Sequence, residues 1–382
     1  MRGGLIQDAT ALEPWRESWD ALAVACKRPF CSPAWMLSWW RHAAPADAKL
    51  RVAVAVDGDD LAGIAPFFAK RGRGGLVHYR LLASGTGSAT EPLGRPGAER
   101  EISTTLAAVL AAADPTPDLL SLEWIPSYSP WPALLMDAWP TRVRPWMHVG
   151  RSKPAPNLSL NDKGFEQWLA GKSGKLRREL RRVRRQLDGH GAVFRLASSN
   201  EELESGLRAF ASLHYARWEA HGGSEALNPR VETMLRDAGR ELLKEQRFRL
   251  WSIEIDRRPI STEIFVCAGG QASSWQGGYD PAWAAQSPSI QAMLAAIEHS
   301  WAVGDRQIDF GRGGQPFKYR FADGEDTLQS VALVPPGPRY YRIRARLLAT
   351  QVGRGVYERL SPDVKQNLKK ALKTLSHANA RR

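Results

Sequence analysis

Apolar and polar residues alternate with two different periods along this chain. Spacings of three and four between Leu12, Trp15, Trp19 and Leu22 predict a helix within residues 11–44, because such positions share one helix face. Alternation with a period of two predicts strands, and Asp57-Gly58 is typical of a hairpin turn. In the first half the pattern predicts strands at 50–56, 61–68, 76–82 and 119–124, and further helices starting near Ser32-Pro33 and at 102–113.

The second half repeats this order of elements. Predicted helices lie at 176–187, 201–221, 231–245 and 290–302, and predicted strands at 248–255, 260–268, 271–279 and 306–310. Residues 51–57 can be laid over residues 249–256, and each segment is followed by a turn, a strand with small residues, a glycine-rich break and a third strand. Because identity between the halves is low, the pattern indicates a duplicated α/β fold and not a sequence repeat.

Two proline-rich stretches predict the boundaries between these units. Lys153-Pro-Ala-Pro156 is typical of a linker, and Pro335-Pro-Gly-Pro338 marks a second break. We therefore expect modules at 1–155 and 156–336, followed by a basic helical tail at 337–382. Ser361-Pro362 is predicted to begin the last helix of that tail.

Composition indicates a globular protein with a basic surface. The chain has 382 residues, is 43% hydrophobic, and carries a formal net charge of +13. The excess is concentrated in the tail and in a cluster at 172–185. The tail could dock on the first module or lie on an acidic membrane surface. The cluster could be a solvated helix face or a wall that attracts an anionic partner, but no aromatic residue interleaves its arginines, so nucleic acid is not favoured.

The cysteine spacing and the length of the apolar runs indicate in which cellular compartment the protein is expected. Cys26, Cys31 and Cys267 form neither a CxxC pair nor a metal-binding spacing, so we expect no metal site and a reducing compartment. No run of about 20 apolar residues is present, so no transmembrane segment is predicted. We expect a cytoplasmic protein.

The chemistry-bearing residues cluster between 271 and 321. Here a predicted strand, a polar loop, a helix and a second strand precede a glycine-rich loop. A helix that begins directly after a strand directs its unpaired N–H groups at the sheet edge and can bind the phosphates of a cofactor. The candidate cofactor-binding residues are Gly277, Gly278, Ser287, Ser289, Ile290, Gln291, Arg312 and Lys318. The alternatives are a β-bulge for the glycines, an ordinary N-cap for the serines and a surface salt bridge for the two cations.

Five residues are candidates for acid–base chemistry: Asp309, Tyr279, His214, Glu263 and Tyr319. Either carboxylate could act as a general base if burial raises its pKa, whereas histidine needs little adjustment. The tyrosines are candidates to protonate a leaving group. Simple packing is the alternative for the histidine and for both tyrosines.

Several short motifs together resemble the GNAT acyltransferase superfamily, and more narrowly its CelD/BcsL group, named for cellulose biosynthesis. They are Leu213-His214-x-x-Arg217-Trp218, Gly277–Pro281, Ser287-Pro288, Asp309–Gly313 and Phe317-Lys318. The resemblance covers roughly 172–323. It implies tandem modules, each a mixed, mostly antiparallel sheet flanked by helices, with acetyl-CoA or another acyl-CoA as co-substrate. The first module resembles a degenerate copy, as in the Fem peptidoglycan aminoacyltransferases.

Three functions follow as hypotheses. The first is an acyl-CoA-dependent N- or O-acyltransferase that acts on a sugar, a polysaccharide precursor or a small amine. The second is a Fem-like transferase that uses aminoacyl-tRNA. The third is a non-catalytic scaffold in envelope polysaccharide assembly, motivated by the lack of the usual GNAT pyrophosphate loop.

Overall fold

The computed structural model describes residues 1–86, 89–162, 164–219, 223–224 and 226–359. The strands are β1 (Arg2–Ile6), β2 (Lys49–Asp57), β3 (Asp60–Arg71), β4 (Val77–Leu81), β5 (Leu93–Gly94), β6 (Leu119–Pro126), β7 (Trp146–Ser159), β8 (Val193–Leu196), β9 (Phe248–Ile255), β10 (Arg258–Ala268), β11 (Gln271–Tyr279), β12 (Gln307–Asp309) and β13 (Gly324–Val334). The helices are α1 (Arg16–Ala25), α2 (Pro33–His42), α3 (Glu99–Ala111), α4 (Trp131–Asp137), α5 (Gly164–Ala170), α6 (Gly174–Gly189), α7 (Asn200–Glu219), α8 (Pro229–Leu243), α9 (Pro288–Ala302) and α10 (Tyr340–Arg359).

One sheet runs through both halves in the order β1-β2-β3-β4-β6-β13-β7-β12-β11-β10-β9-β8, with β5 attached to β3. Each half has the same plan. In the first, β1 to β4 pair antiparallel, β4 pairs parallel with β6, and β6 pairs antiparallel with β13. In the second, β8 to β11 pair antiparallel, β11 pairs parallel with β12, and β12 pairs antiparallel with β7. The predicted fold class, tandem modules with mixed and mostly antiparallel strands, is confirmed.

The two halves exchange their last strands. Strand β7 follows the first half in sequence but completes the second, and β13 returns from the end of the second half to complete the first. β7 and β13 pair with each other along ten registered positions at the centre of the sheet. The halves are therefore joined by the backbone ladder as well as by side-chain packing.

The prediction of a linker at Lys153-Pro-Ala-Pro156 is wrong, because these four residues lie inside strand β7. Two prolines are tolerated there because of the direction in which their backbone groups point. The carbonyl of Pro154 accepts from Gly313 N–H at 2.7 Å, and that of Pro156 accepts from Phe310 N–H at 3.0 Å. Since N–H and C=O of a strand residue point the same way, the missing donors face this loop and not β13. The division at residues 155 and 156 stays a prediction.

An apolar core links the two halves. Helices α1 and α2 of the first half and α7 and α8 of the second contribute to one cluster of buried side chains. Within it, Trp35 and Trp275 pack edge to face with ring centroids 5.8 Å apart. Helix α9 covers the opposite face of β10 and β11, where Met293 and Ile297 pack with Phe265 and Ile308.

Helix α10 docks on the first half. Docking on the first module is one of the two alternatives predicted for the tail, the other being contact with an acidic membrane surface. Ile343 packs with Leu119 and Val334, and Arg339 lies 3.3 Å from Asp118. The helix predicted from Ser361-Pro362, and residues 220–221 of the predicted helix 201–221, lie outside the described residues. Within the described part of the chain, no helix combines the length and apolarity needed to span a bilayer.

Candidate active site

The site is built where two parallel strands separate. β11 and β12 are paired at three positions, the last being Ser273 opposite Asp309. Beyond this point β11 continues to Tyr279, whereas β12 ends. A register shift against β10 leaves Trp275 as an extra residue in β11, and such a bulge bends the strand. Across the described residues 274–279, the β11 edge that faced β12 has no strand partner.

A cleft of about 1380 Å³ opens at this separation. It collects most of the residues predicted from the sequence. Its lining includes His214, Glu263, Gly277, Tyr279, Ser287, Ser289, Ile290, Asp309, Arg312 and Lys318. Gly278, Gln291 and Tyr319 are not part of it. Phe30, Thr86 and Leu328 also line the cleft, so the first half and β13 supply part of its wall.

Glu263 lies at the base of the separation. Its side chain is buried and accepts a hydrogen bond from Ser274 Oγ at 2.9 Å. Burial raises the pKa of Glu263 to about 7, against the opposing effects of this hydrogen bond and of the Lys318 and Arg217 charges. Gly277 stands directly opposite on β11, and a Cβ there would overlap the Glu263 carboxylate. A glycine is therefore required at 277 by the carboxylate next to it.

Asp309 and Lys318 also line the cleft. Burial raises the pKa of Asp309, whose Oδ1 accepts from Gly311 N–H at 2.8 Å. Lys318 donates to the carbonyls of Gly311 at 2.8 Å and Arg312 at 3.1 Å, and burial lowers its pKa to about 8. Lys318 thus stabilises the glycine-rich loop between the two carboxylates. Its role in holding cofactor phosphates stays a prediction.

Helix α7 forms the opposite wall. His214 Nε2 lies 2.7 Å from Ser224 Oγ, and its buried Nδ1 makes no hydrogen bond of ordinary geometry, although the Gly277 backbone is close. Burial lowers the pKa of His214, so the imidazole is neutral at pH 7. One turn along the helix, the Arg217 guanidinium lies 5.2 Å from the Tyr279 ring centroid.

Gly278 differs from its neighbour. A Cβ at this position would lie 3.0 Å from the backbone N of His214 and 3.0 Å from Leu213 Cβ. Its small size thus permits close packing of α7, and its predicted role in binding cofactor is replaced by a structural one.

Helix α9 begins at the mouth of the cleft. Its N-cap residue Ser287 has left-handed backbone angles, φ 43° and ψ 55°, and its side chain caps no N–H group. The hydroxyl of Ser289 is buried and has no partner among the described residues. No acidic residue lies in the first turn, so the positive end of the helix is not neutralised.

Two further residues predicted to bind cofactor, Ile290 and Gln291, follow in the first turn of α9. Ile290 N–H already donates to the Ser287 carbonyl at 3.0 Å. Gln291 is buried, lies outside the cleft lining, and its side chain donates to the Leu180 carbonyl of α6 at 3.1 Å. Of these three residues, Ser289 is the one that both lines the cleft and has a buried hydroxyl without a partner among the described residues.

Tyr319 also lies away from the chemistry. Its hydroxyl donates to the Glu325 carboxylate, which raises its pKa, and the residue is 45% exposed. Of the two tyrosines predicted from the sequence, Tyr279 is the one in the cleft.

The structure adds residues that the sequence did not single out. Ser274 was missed, although strand alternation could have placed it near Glu263 on the neighbouring strand. Lys153, which lines the cleft, falls in the stretch predicted as a linker. Trp124 of β6 is in contact with the Arg312 guanidinium, 4.1 Å from its ring centroid. Both lie where the halves meet, a contact that local patterns do not predict.

Comparison with known proteins agrees with this geometry. Residues 174–319 match the acetyltransferase (GNAT) domain family. This match confirms the predicted resemblance to the GNAT superfamily and the prediction of an acyltransferase. No curated protein matches the chain.

Several solved structures share the fold at low identity. FemX is 11% identical, with a TM-score of 0.59 over 90% of this chain and 100% of FemX. The C-terminal domain of a putative lysylphosphatidylglycerol synthetase from Agrobacterium fabrum is 12% identical, with a TM-score of 0.56 over 88% of this chain and 94% of that one. L-PGS from Bacillus licheniformis is 15% identical, with a TM-score of 0.53 over 90% and 98%. These similarities cover both halves and bear on the fold alone.

Proposed function

We propose that this chain transfers an acyl group, with acetyl as our first choice, from acyl-CoA to an amine or hydroxyl acceptor. The acceptor class is a sugar, a polysaccharide precursor or a small amine. The observation that carries the proposal is the open β11 edge beside the buried Glu263 carboxylate, with the start of α9 at the same cleft. The GNAT match over residues 174–319 supports it.

The residues present fit an acyl-CoA. The start of α9 offers a helix dipole without a competing carboxylate and a buried, unpartnered Ser289 hydroxyl, both suited to a diphosphate. The unpaired β11 backbone can polarise a carbonyl oxygen, because N–H groups without strand partners are available as donors. Acyl-CoA supplies the thioester, and the remaining chemistry belongs to the protein.

Glu263 is our choice for the general base. A carboxyl with a pKa of about 7 is half ionised at neutral pH and can accept a proton from an amine or hydroxyl as it attacks. Tyr279 is our choice for the acid that protonates the departing sulfur, since it lines the same cleft. A C–N or C–O bond forms and the C–S bond breaks. The acceptor proton moves to Glu263, and the Tyr279 proton moves to the thiolate.

Asp309 and His214 are proposed to position these groups. Asp309 anchors the loop at Gly311, and His214 supports β11 from the α7 side through the close contact at Gly278. Neither assignment requires them to exchange protons with the acceptor.

Titration calorimetry with acetyl-CoA tests the proposal directly. We expect saturable binding by the full chain, and weaker binding by Ser289→Asp. Arg208→Gln, at an exposed position of α7, is the control. An unchanged heat signal at saturating acetyl-CoA, together with an unchanged melting temperature, would rule the proposal out.

Transfer from aminoacyl-tRNA is the second candidate. The specific observation in its favour is α6, whose buried stripe of Leu180, Val183 and Leu187 leaves a row of arginines exposed. The structural similarity to FemX across both halves also fits. This candidate predicts tRNA binding that weakens steeply with salt, because neutralised phosphates release counterions. Filter binding at low salt that detects no complex would exclude it, and turnover with any acyl donor would exclude a non-catalytic scaffold.

A further inference from the structure

A group of cations without counterions lies where the second half meets the first. Arg312 follows β12, and Arg151 and Lys153 lie on β7. None of the three side chains makes an ion pair or a hydrogen bond with any residue that the structure describes. Arg312 and Lys153 line the cleft.

Trp124 holds two of these cations together. The Arg312 guanidinium lies 4.1 Å from the Trp124 ring centroid, and that of Arg151 lies 5.6 Å from it. Two guanidinium groups on one ring repel each other unless a negative charge joins them. Burial, and the neighbouring Arg151 charge, lower the pKa of Arg312. The nearby Glu123 carboxylate is already held by two hydrogen bonds from Arg80, each 3.0 Å long.

The backbone is bent to make this arrangement. Opposite Ser330 of β13, both flanking strands carry an extra residue, within 123–124 of β6 and within 150–151 of β7. Trp124 has φ 59°, an unfavourable conformation for a bulky side chain. Bulges of this kind redirect side chains beside functional sites, and strain persists where the surroundings impose it. Here the two bulges bring Trp124 and Arg151 together.

One buried atom points to a ligand. Arg312 Nη1 is buried and has no hydrogen-bond partner among the described residues. An unpaired buried charged donor is costly, which favours an acceptor supplied by a bound ligand. A phosphate or carboxylate oxygen is the natural partner of a guanidinium donor.

We propose that Arg312 and Lys153, which line the cleft, and Arg151, which shares the Trp124 ring with Arg312, form a subsite that binds a negatively charged group of the acceptor, a phosphate or a carboxylate. The inference rests on the proposed function and specifies its acceptor class as anionic. We assign the subsite to the acceptor and not to the coenzyme because Arg151 and Lys153 belong to β7, whereas the start of α9 follows β11 in the chain. Trp124 is a positioning residue for Arg312.

Calorimetry on the full chain saturated with CoA, which cannot donate an acyl group, tests the subsite. The probes are glucosamine 6-phosphate and glucosamine, which has the same amine but no phosphate. We expect the phosphorylated sugar to bind at least about tenfold more tightly, and Arg312→Gln to remove most of that difference, as loss of a charge-assisted hydrogen bond would. Arg208→Gln, which makes the same charge change at an exposed position, leaves the difference intact.

Two further variants serve as additional tests. One changes an exposed residue and is therefore expected to leave folding intact, and the other moves Arg312 without changing any charge. Lys153→Gln alters an exposed side chain and reduces affinity for the sugar phosphate several-fold. Trp124→Leu keeps all three charges and also weakens binding, because Arg312 loses its platform.

The outcomes separate this inference from the proposed function. Equal affinity of Arg312→Gln and Arg208→Gln for the sugar phosphate overturns the inference, even if acetyl-CoA binds. Competition between CoA and the sugar phosphate also overturns it, because the cations would then belong to the coenzyme site. Failure of acetyl-CoA to bind, with an Arg312-dependent sugar phosphate site intact, sinks the proposed function and leaves the anion site standing.

Discussion

The two halves of this protein share one plan but differ at the position where chemistry is proposed. The register of the paired strands shows which residue of the first half is equivalent to which residue of the second. Arg51 pairs with Phe67, and Arg249 pairs with Phe265, so Ala65 is the first-half counterpart of Glu263. By the same reasoning Ser121, paired with Arg80, is the counterpart of Asp309, paired with Ser273.

The strands and helices around these positions differ as well. In the first half β4 ends at Leu81 and β6 continues to Pro126, paired with β13, so no open edge forms like that of β11. Helix α3 carries Glu99 and Glu101 in its first turn, where α9 has no acid. A carboxylate at a helix start occupies the favourable place of an anion. Among the described residues, only the second half therefore combines a buried carboxylate at this strand position with a helix start that carries no acidic residue, which fits the hypothesis of a degenerate first module.

Removal of the Glu263 carboxylate, which has no counterpart in the first half, is the strongest test of this difference. Glu263→Gln keeps the shape but cannot accept a proton, so we expect kcat to fall by about 1,000-fold. In the unaltered protein, kcat/KM should rise with pH through about 7, because the base must be ionised. Steady-state rates from pH 5 to 9 measure both. If Glu263→Gln keeps the pH profile of the unaltered protein, Glu263 is not the general base.

Stability gives an independent reading of the same residue. Burial raises the folded pKa of Glu263 from 4.5 to about 7, so its contribution is fully present below pH 4.5 and is lost as the pH rises through about 7. At about 1.4 kcal/mol per pKa unit this amounts to up to about 3 kcal/mol. Urea unfolding of Glu263→Gln should lack that part of the pH dependence. Identical stability curves for both proteins would contradict the raised pKa.

Gly277→Ala tests the close approach that defines the second half. The new methyl group would overlap the Glu263 carboxylate, so we expect about a 100-fold loss of kcat/KM through misplacement of the base, with some loss of stability. The closest contact of the new methyl group is with Glu263 Oε2, whereas the contact with the Thr262 carbonyl oxygen, at 2.9 Å, does not depend on the side chain at 263. Thermal unfolding should therefore show less destabilisation by Gly277→Ala when residue 263 is already alanine. An equal effect in both backgrounds would place the strain elsewhere.

Ser289→Asp makes the start of α9 resemble that of α3. The added carboxylate should compete for the helix end and repel a diphosphate, weakening acetyl-CoA binding by about tenfold. Glu99→Gln in α3 is the matched control and should leave affinity unchanged. Calorimetry measures both. A loss of affinity in the α3 variant instead would move coenzyme binding to the first half.

The strands and helices of each half follow from local patterns, and so does the repetition of their order. The period-two strands at 248–255 and 260–268 and the turn between them became β9 and β10 with nearly the predicted bounds. The motifs that contain Tyr279 and Asp309 contribute to one cleft, because strand ends and the following loops meet at one edge of a sheet. Glu263, inside β10, reaches the same cleft because β10 pairs with β11.

What the sequence determined by itself is the local periodicity and the chemistry available at the strand ends. Tertiary structure alone decided the exchange of β7 and β13, the burial that raises the pKa of Glu263, and the meeting of Arg312 with Trp124. The physical reason is that pairing and desolvation depend on residues distant in the chain. Lys153-Pro-Ala-Pro156 is compatible with a linker or a strand until β13 pairs with it, and a carboxylate keeps its ordinary pKa until other elements exclude water from it.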